Sequence, residues 1–273
     1  MQSINPAPRP AKNTCLLGNQ NITRGGVKIL STRIDNISLT DALILVDNFL
    51  IDGKSHQIIT ANPLMIFEAH KNEKLKNIFD TASLVIPESA GVHWAAKFLK
   101  TPLSEKIPGI DFMISMLKYA QQNNRSVFFL GAKEEVIKKA AEEIKKKFPE
   151  LKISGFHNGY FRETGNEQDV ISRIKSSGAE ILFAGLNTPF QEIWLNKNLE
   201  KLGIKIAMGV GGSFDVISGN LRRAPKWMIN LNIEWFFRVA QQPWRILRII
   251  KLFSFTLKIF KEKIRLICGK FYV

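Results

Sequence analysis

Two short runs, Ser126–Gly131 (SVFFLG) and Glu180–Gly185 (EILFAG), are apolar at consecutive positions and stop on a glycine. A strand with no polar face is covered on both sides, which suits a central parallel strand between two layers of helices. Further strands are expected at Gln57–Thr60, Leu84–Pro87, Lys152–Gly155 and Lys205–Gly211. Helical patterns lie between them, roughly Leu64–Phe79, Gly91–Leu99, Ile110–Gln122, Lys133–Phe148, Glu167–Ser176 and Pro189–Leu202. Their apolar positions recur at three and four, as in Val136, Ala140, Ile144 and Phe148. Repeated strand–helix alternation predicts an α/β fold, a Rossmann-like doubly wound, mainly parallel sheet. In such sheets ligands bind beyond the carboxyl ends of the strands, so chemistry is sought there.

The pattern changes after Gly212. A Gly- and Pro-punctuated stretch, SFDVISGNLRRAPKWM, leads into aromatic, basic, helix-like sequence from Trp227 to about Ile267. Pro243 should divide it into helices at about Pro225–Gln241 and Pro243–Ile267. The expected organisation is a disordered lead-in over 1–25, an α/β core over 26–219 and a basic amphipathic appendage over 220–273. Charge follows the same division. Of a net +15, two thirds falls between Asn220 and Val273, where twelve Lys and Arg face only Glu234 and Glu262. That excess calls for a polyanionic partner. Because the cations alternate with a broad apolar face, an anionic membrane surface or a diphosphate fits better than nucleic acid. Lys251, Lys258 and Lys261 interrupt the tail well short of the roughly 18 apolar residues of a spanning helix. No apolar secretory core precedes Gly25, so a cytoplasmic protein is expected. Two cysteines, Cys15 and Cys268, supply neither a disulfide framework nor a metal site.

Several strand ends carry candidate chemistry. Thr60-Ala61-Asn62-Pro63 places a hydroxyl and an amide at a helix start, as a cap or as ligand contacts. Pro87-Glu88-Ser89-Ala90-Gly91 places a carboxylate at the next, for a ligand or for the helix dipole. Lys106, in KIPGID, is either a phosphate contact or a solvated cation. Gly131, at the strand–helix junction FLGAK, suits a phosphate or ribose. The run Gly209-x-Gly211-Gly212-x-Phe214 lacks the third glycine of a dinucleotide fingerprint and follows the last strand, so that reading is rejected. There is no P-loop motif and no Asp-x-Asp pair, and the four histidines lack ligand spacing.

Taken in order, TANP, PESAGVHWAAKFL, SEKIPGID, VFFLGAKEEV, HNGYF, GLNTPFQEIW, GVGGSFDVISGNLRRAPKWM and IEWFFRVAQQPWRILR resemble the WecG/TagA/CpsF glycosyltransferases, glycosyltransferase family 26. The likeness runs from about Val27 to Arg248 and is most specific in PxQExW and GGxFDxxxGxxxRAPxWM. It implies inverting, metal-independent transfer of an N-acetylhexosamine-type sugar, such as N-acetylmannosamine. The donor would be a UDP-sugar and the acceptor a polyprenyl-diphosphate-linked sugar in cell-surface polymer synthesis. No cofactor is implied. It also implies a peripheral position on the inner face of the cell membrane and a homo-oligomer in solution.

Carried over by position, Glu88 stands where the family has its catalytic aspartate, and inversion needs one such base. Thr60 and Asn62 match the T-x-N-P pair near the donor sugar, and Gln191 matches the PxQExW glutamine. Tyr160 and Asp215 match donor-nucleotide positions, and Gly185 opens the loop beside the donor. Arg238, Arg245 and Arg248 match acceptor-diphosphate positions, and fall along one helix face if Pro243 bends the axis only mildly. The departures are Glu88 for aspartate, Lys106 for an arginine, and Asn187 and Phe190 in the GLNTPFQE loop. One extra methylene moves the carboxylate by about 1.5 Å. A second reading follows from these departures: a catalytically weakened homologue that binds UDP-sugar or lipid diphosphate.

Overall fold

A computed structural model describes residues 25–268; the expected lead-in, apart from Gly25, lies outside them. Strands β1 (Gly25–Ile29) and β2 (Thr32–Asn36) form an antiparallel hairpin. Its two turn residues, Leu30 and Ser31, both have positive φ, 49° and 65°. Helix α1 (Leu39–Ile51) follows, capped by Ser38, whose Oγ accepts from the Asp41 N–H at 3.1 Å. Neither the hairpin nor α1 belongs to the expected strand–helix series.

Six strands then build one sheet: β3 (His56–Ala61), β4 (Leu84–Pro87), β5 (Ser126–Gly131), β6 (Lys152–His157), β7 (Ile181–Gly185) and β8 (Ile206–Gly209). Their spatial order is β4-β3-β8-β7-β5-β6, and every neighbouring pair is parallel. The chain builds outward from β3 to β4, restarts at β5, and finally inserts β7 and β8 between the two halves. The carboxyl ends of β3, β8, β7 and β5 therefore meet along one edge, at the switch in winding direction.

Side chains alternate between two cores. On one face Phe129, Phe183 and Met208 pack with α1, α5 (Gly109–Gln122) and α6 (Glu134–Lys147). On the other, Phe128, Leu182 and Ala207 pack with α7 (Glu167–Ser176) and α8 (Phe190–Asn198). There too Ile59 and Val85 meet α2 (Pro63–Lys71), α3 (Glu73–Thr81) and α4 (Ala90–Phe98). The single helix expected over Leu64–Phe79 is thus two. Asn72 ends α2 with φ −125° and ψ 105°, and its Oδ1 then caps α3 through the Leu75 N–H at 3.2 Å. His56 has a structural role, stacked on Phe49 at 4.1 Å and bonded to Asp52.

The tail is segmented as well. Helix α9 (Ser213–Ile217) precedes α10 (Lys226–Asn230) and α11 (Glu234–Gln241), where one helix over Pro225–Gln241 was expected. The break falls at Asn232, whose φ of 61° is left-handed. Pro243 opens a 3-10 turn (Pro243–Arg245) and α12 runs over Ile246–Cys268. Gln242 before it is extended, φ −135°, as a residue preceding proline prefers. Arg238 and Arg248 therefore lie on different helices, and the mild bend that would align the three arginines does not occur. The side chains of Arg245 and Arg248 lie outside the described residues. On α12, Phe255 and Ile259 are buried against α2 and α4. The Glu262 Oε2 accepts from the Leu30 N–H at 3.1 Å, and Lys251 pairs with Glu68 at 2.7 Å.

Candidate active site

Glu88 follows directly on β4 and lies half-buried. Its surroundings explain both halves of the T-x-N-P question. Asn62 caps α2, its Oδ1 accepting from the Leu64 and Met65 N–H groups at 3.1 Å each. The same side chain hydrogen-bonds the Glu88 carboxyl, so the cap is also the carboxylate's partner. A second donor is the Gly109 N–H, at the first residue of α5, where the helix dipole favours negative charge. Burial pushes the Glu88 carboxyl above the ordinary carboxylate value, outweighing the charge of Arg238 and these two hydrogen bonds; Glu234 adds to the rise.

Thr60 is buried at the end of β3, and its Oγ1 donates to the Gly209 carbonyl at 3.4 Å. Thr60 and Glu88 meet at Gly109. A Cβ there would lie 2.9 Å from Glu88 Oε1 and 3.3 Å from Thr60 Oγ1. Since Gly109 is helical, alanine suits its backbone, so Gly109→Ala should fold with a melting temperature within about 2 °C of the parent. It should lose about 10²-fold in turnover by displacing the carboxylate. Steady-state rates beside a thermal melt check this; unchanged turnover would contradict the packing.

Gln191 is buried at the start of α8, over the end of β8, and its Oε1 accepts from the Gly211 N–H at 3.2 Å. That bond ties the Glu88 group to a second cluster at the ends of β5 and β7. Gly131 has φ +131°, and a Cβ on it would lie 2.3 Å from the Gly185 carbonyl oxygen. At Gly185 a Cβ would meet Phe214 Cδ2 at 2.6 Å, and Gly159 approaches Gly131 in turn. Close backbone approach thus requires these glycines and leaves a rim of main chain. Tyr160, next to Gly159, is 44% exposed. Asp215 lies on α9, its Oδ1 accepting from Asn220 Nδ2 at 3.3 Å.

Side chains from Arg223 to Arg238 also reach this edge. Arg238 pairs with Glu234 at 3.0 Å on α11, and both act on Glu88 through their charge. Lys106 donates to Asn232 Oδ1 at 2.7 Å, tying its loop to the α10–α11 turn, and Arg223 pairs with Asp111 at 2.7 Å. The structure therefore gathers Thr60, Asn62, Glu88, Gln191 and Arg238, with Gly131, Gly185 and Tyr160 in the adjoining cluster. Asp215 and Lys106 stand at the margins. Gly109, Asn232, Glu234 and Glu192 carry no site role in the sequence reading, although Gly109, Glu192 and Glu234 lie inside quoted motifs. Among the described residues no three His, Cys, Asp or Glu side chains form a metal-holding group.

A carboxylate at the winding switch of a parallel sheet, with Arg238 beside it and a main-chain rim at Gly131 and Gly185, makes this edge the candidate active site. The model of the glycosyl transferase WecG/TagA/CpsF family matches residues 27–268, and the chain belongs to that family. It is similar to the N-acetylglucosaminyldiphosphoundecaprenol N-acetyl-beta-D-mannosaminyltransferases of Bacillus spizizenii and Bacillus subtilis. Identity is 33% over 80% of this chain and 84% of the first relative. For the second it is 31% over 84% and 88%. The enzyme of that name from Staphylococcus aureus is 32% identical over 87% of this chain and 93% of its own. The protein is a glycosyltransferase.

Proposed function

We propose that the chain transfers an N-acetylmannosamine-type sugar, with inversion and without a metal, from a UDP donor to a polyprenyl-diphosphate-linked N-acetylglucosamine. The observation that carries this reading is the Glu88 carboxylate, held by Asn62 and Gly109 beside Arg238. Glu88 takes the proton of the acceptor hydroxyl. The oxygen attacks the anomeric carbon opposite the UDP, the bond to UDP breaks, and UDP departs with the electron pair. Thr60 and Gln191 orient the donor sugar, and the backbone rim at Gly131 and Gly185, with Tyr160 and Asp215, takes the nucleotide. Arg238, with Arg245 and Arg248, meets the acceptor diphosphate, and Lys106 steadies the α10–α11 turn. Residues 220–273 act as the acceptor- and membrane-binding appendage. Released UDP, measured over a UDP-sugar panel with a short-chain prenyl-diphosphate N-acetylglucosamine, tests the reading. Binding of UDP without turnover would favour a non-catalytic binder.

No helix among the described residues is long and apolar enough to cross a membrane. On α12, however, Ile246, Ile250, Phe253, Leu257, Phe260 and Ile264 recur at four and three and are all exposed, opposite buried Phe255 and Ile259. Exposed Lys258, Lys261 and Arg265 flank that row. This pattern supports an interfacial helix on an anionic membrane. Phe253 and Leu257 are 65% and 48% exposed. Replacing both with Glu should weaken binding to anionic vesicles by tenfold or more, at unchanged melting temperature, since each loses about 2 kcal/mol of apolar burial. Flotation with unaltered vesicle binding would contradict it.

A further inference from the structure

Gln191 and Glu192 are neighbours on α8, and each is only 2% exposed. The Gln191 carboxamide is engaged at both ends. Its Oε1 accepts from the Gly211 N–H at 3.2 Å, and its Nε2 donates to Glu192 Oε1 at 2.6 Å. With the amide flipped, oxygen would face oxygen at Glu192 and N–H would face N–H at Gly211. The Gly211 N–H and Glu192 together therefore set which way Gln191 points, and Glu192 holds its Nε2 end. No room is left behind the pair, since a Cβ on Gly209 would lie 2.6 Å from Gln191 Nε2 and 3.3 Å from Glu192 Oε1. Glu192 is itself anchored, its carbonyl accepting from Gln57 Nε2 at 3.0 Å.

The second carboxyl oxygen, Oε2, is buried and has no hydrogen-bond partner among the described residues. An ionised carboxylate with one bare buried oxygen is costly, and a proton removes most of that cost. Burial pushes the Glu192 carboxyl up to about 7, against hydrogen bonds from Gln191 and from its own backbone N–H, and the charge of Glu88 adds to the rise. Among the described residues no salt bridge reaches Glu192. Helix α3, packed on α8, carries Glu73, Lys74, Lys76 and Asp80, of which Lys76 pairs with Asp80 at 2.8 Å, and β8 carries no charged side chain. Gln57 of β3 is engaged by Asn196, and Glu167 of α7 by Trp194 and Lys197.

We propose that Glu192 is a positioning residue for the transfer, acting through Gln191 in its protonated form. It fixes the carboxamide toward the sugar nucleotide while adding no negative charge beside Glu88 and the donor diphosphate. This rests on the reading of the cleft as the UDP-donor site. Binding of the donor then favours the protonated carboxyl, and raising the pH through its titration weakens donor binding.

The test is calorimetric titration of the full chain with UDP from pH 6.5 to 8.5, on the parent, Glu192→Gln and Glu192→Ala, with turnover measured alongside. Comparing parent with Glu192→Gln separates the carboxyl from the phosphate titration of UDP itself. Across that range the parent should lose about tenfold more UDP affinity than Glu192→Gln. Glu192→Ala, which removes the partner of Gln191 Nε2 and leaves the carboxamide held at Oε1 alone, should lose about 10²-fold in turnover, and Glu192→Gln should recover most of that loss. Equal pH dependence in parent and Glu192→Gln would overturn the proposal, as would equal turnover loss in the two variants. Absence of UDP binding at every pH in all three chains would instead overturn the donor-site reading.

Discussion

Glu88→Gln is expected to lower turnover about 10³-fold while leaving UDP affinity within about threefold. Glutamine keeps the size and can still be held by Asn62 and the Gly109 N–H. It cannot take a proton from the acceptor, and general-base catalysis contributes some 10²–10⁴-fold. The loss therefore belongs in kcat. The parent's pH profile carries the same signature. A base works ionised, so activity falls as the pH drops through the Glu88 titration. Because burial raises that carboxyl, the acid limb of kcat should lie above the ordinary carboxylate value of 4.5. Glu88→Gln should abolish the limb. Initial rates of UDP release from pH 4.5 to 8 measure both effects, and undiminished turnover would remove Glu88 from the base role.

Gly131→Ala is expected to damage fold and nucleotide site together. At φ +131° an L side chain is strained whatever the space, and the new Cβ would sit 2.3 Å from the Gly185 carbonyl oxygen and 2.5 Å from its carbonyl carbon. Both are main-chain atoms of the neighbouring strand, paired in register with Gly131. They cannot swing aside as a side chain would, so β5 and β7 must part at the edge where the nucleotide is placed. A cost of about 3 kcal/mol or more is expected, lowering the melting temperature by roughly 6–12 °C for a domain of this size. UDP binding should be lost with it. A melting temperature within 2 °C of the parent, with UDP still bound, would contradict the backbone packing.

These two positions also show what the sequence made legible. Apolar runs such as SVFFLG and EILFAG announced β5 and β7, and the strand ends pointed to Thr60, Asn62, Glu88 and Gly131. Those signals are local, a period of one face or two and a turn residue. The hairpin β1–β2 escaped because Leu30 and Ser31 hold its left-handed turn where Asn or Gly would have marked it. Splitting of the tail helix depends on Asn232, whose side chain is taken by Lys106, 126 residues away. Cap or ligand was undecidable at Asn62 from spacing, since one amide performs the first task while meeting Glu88. Glu192 stayed hidden because a motif glutamate reads as solvated until burial and its bare oxygen are seen.

Transfer by this route requires donor and acceptor to meet at Glu88. A crystal structure of the full chain with UDP and a prenyl-diphosphate N-acetylglucosamine analogue addresses this directly. The nucleotide is predicted along the Gly131–Gly185 rim, with the acceptor hydroxyl about 2.6–3.2 Å from the Glu88 carboxylate. A nucleotide bound elsewhere, or an acceptor hydroxyl facing away from Glu88, would contradict it.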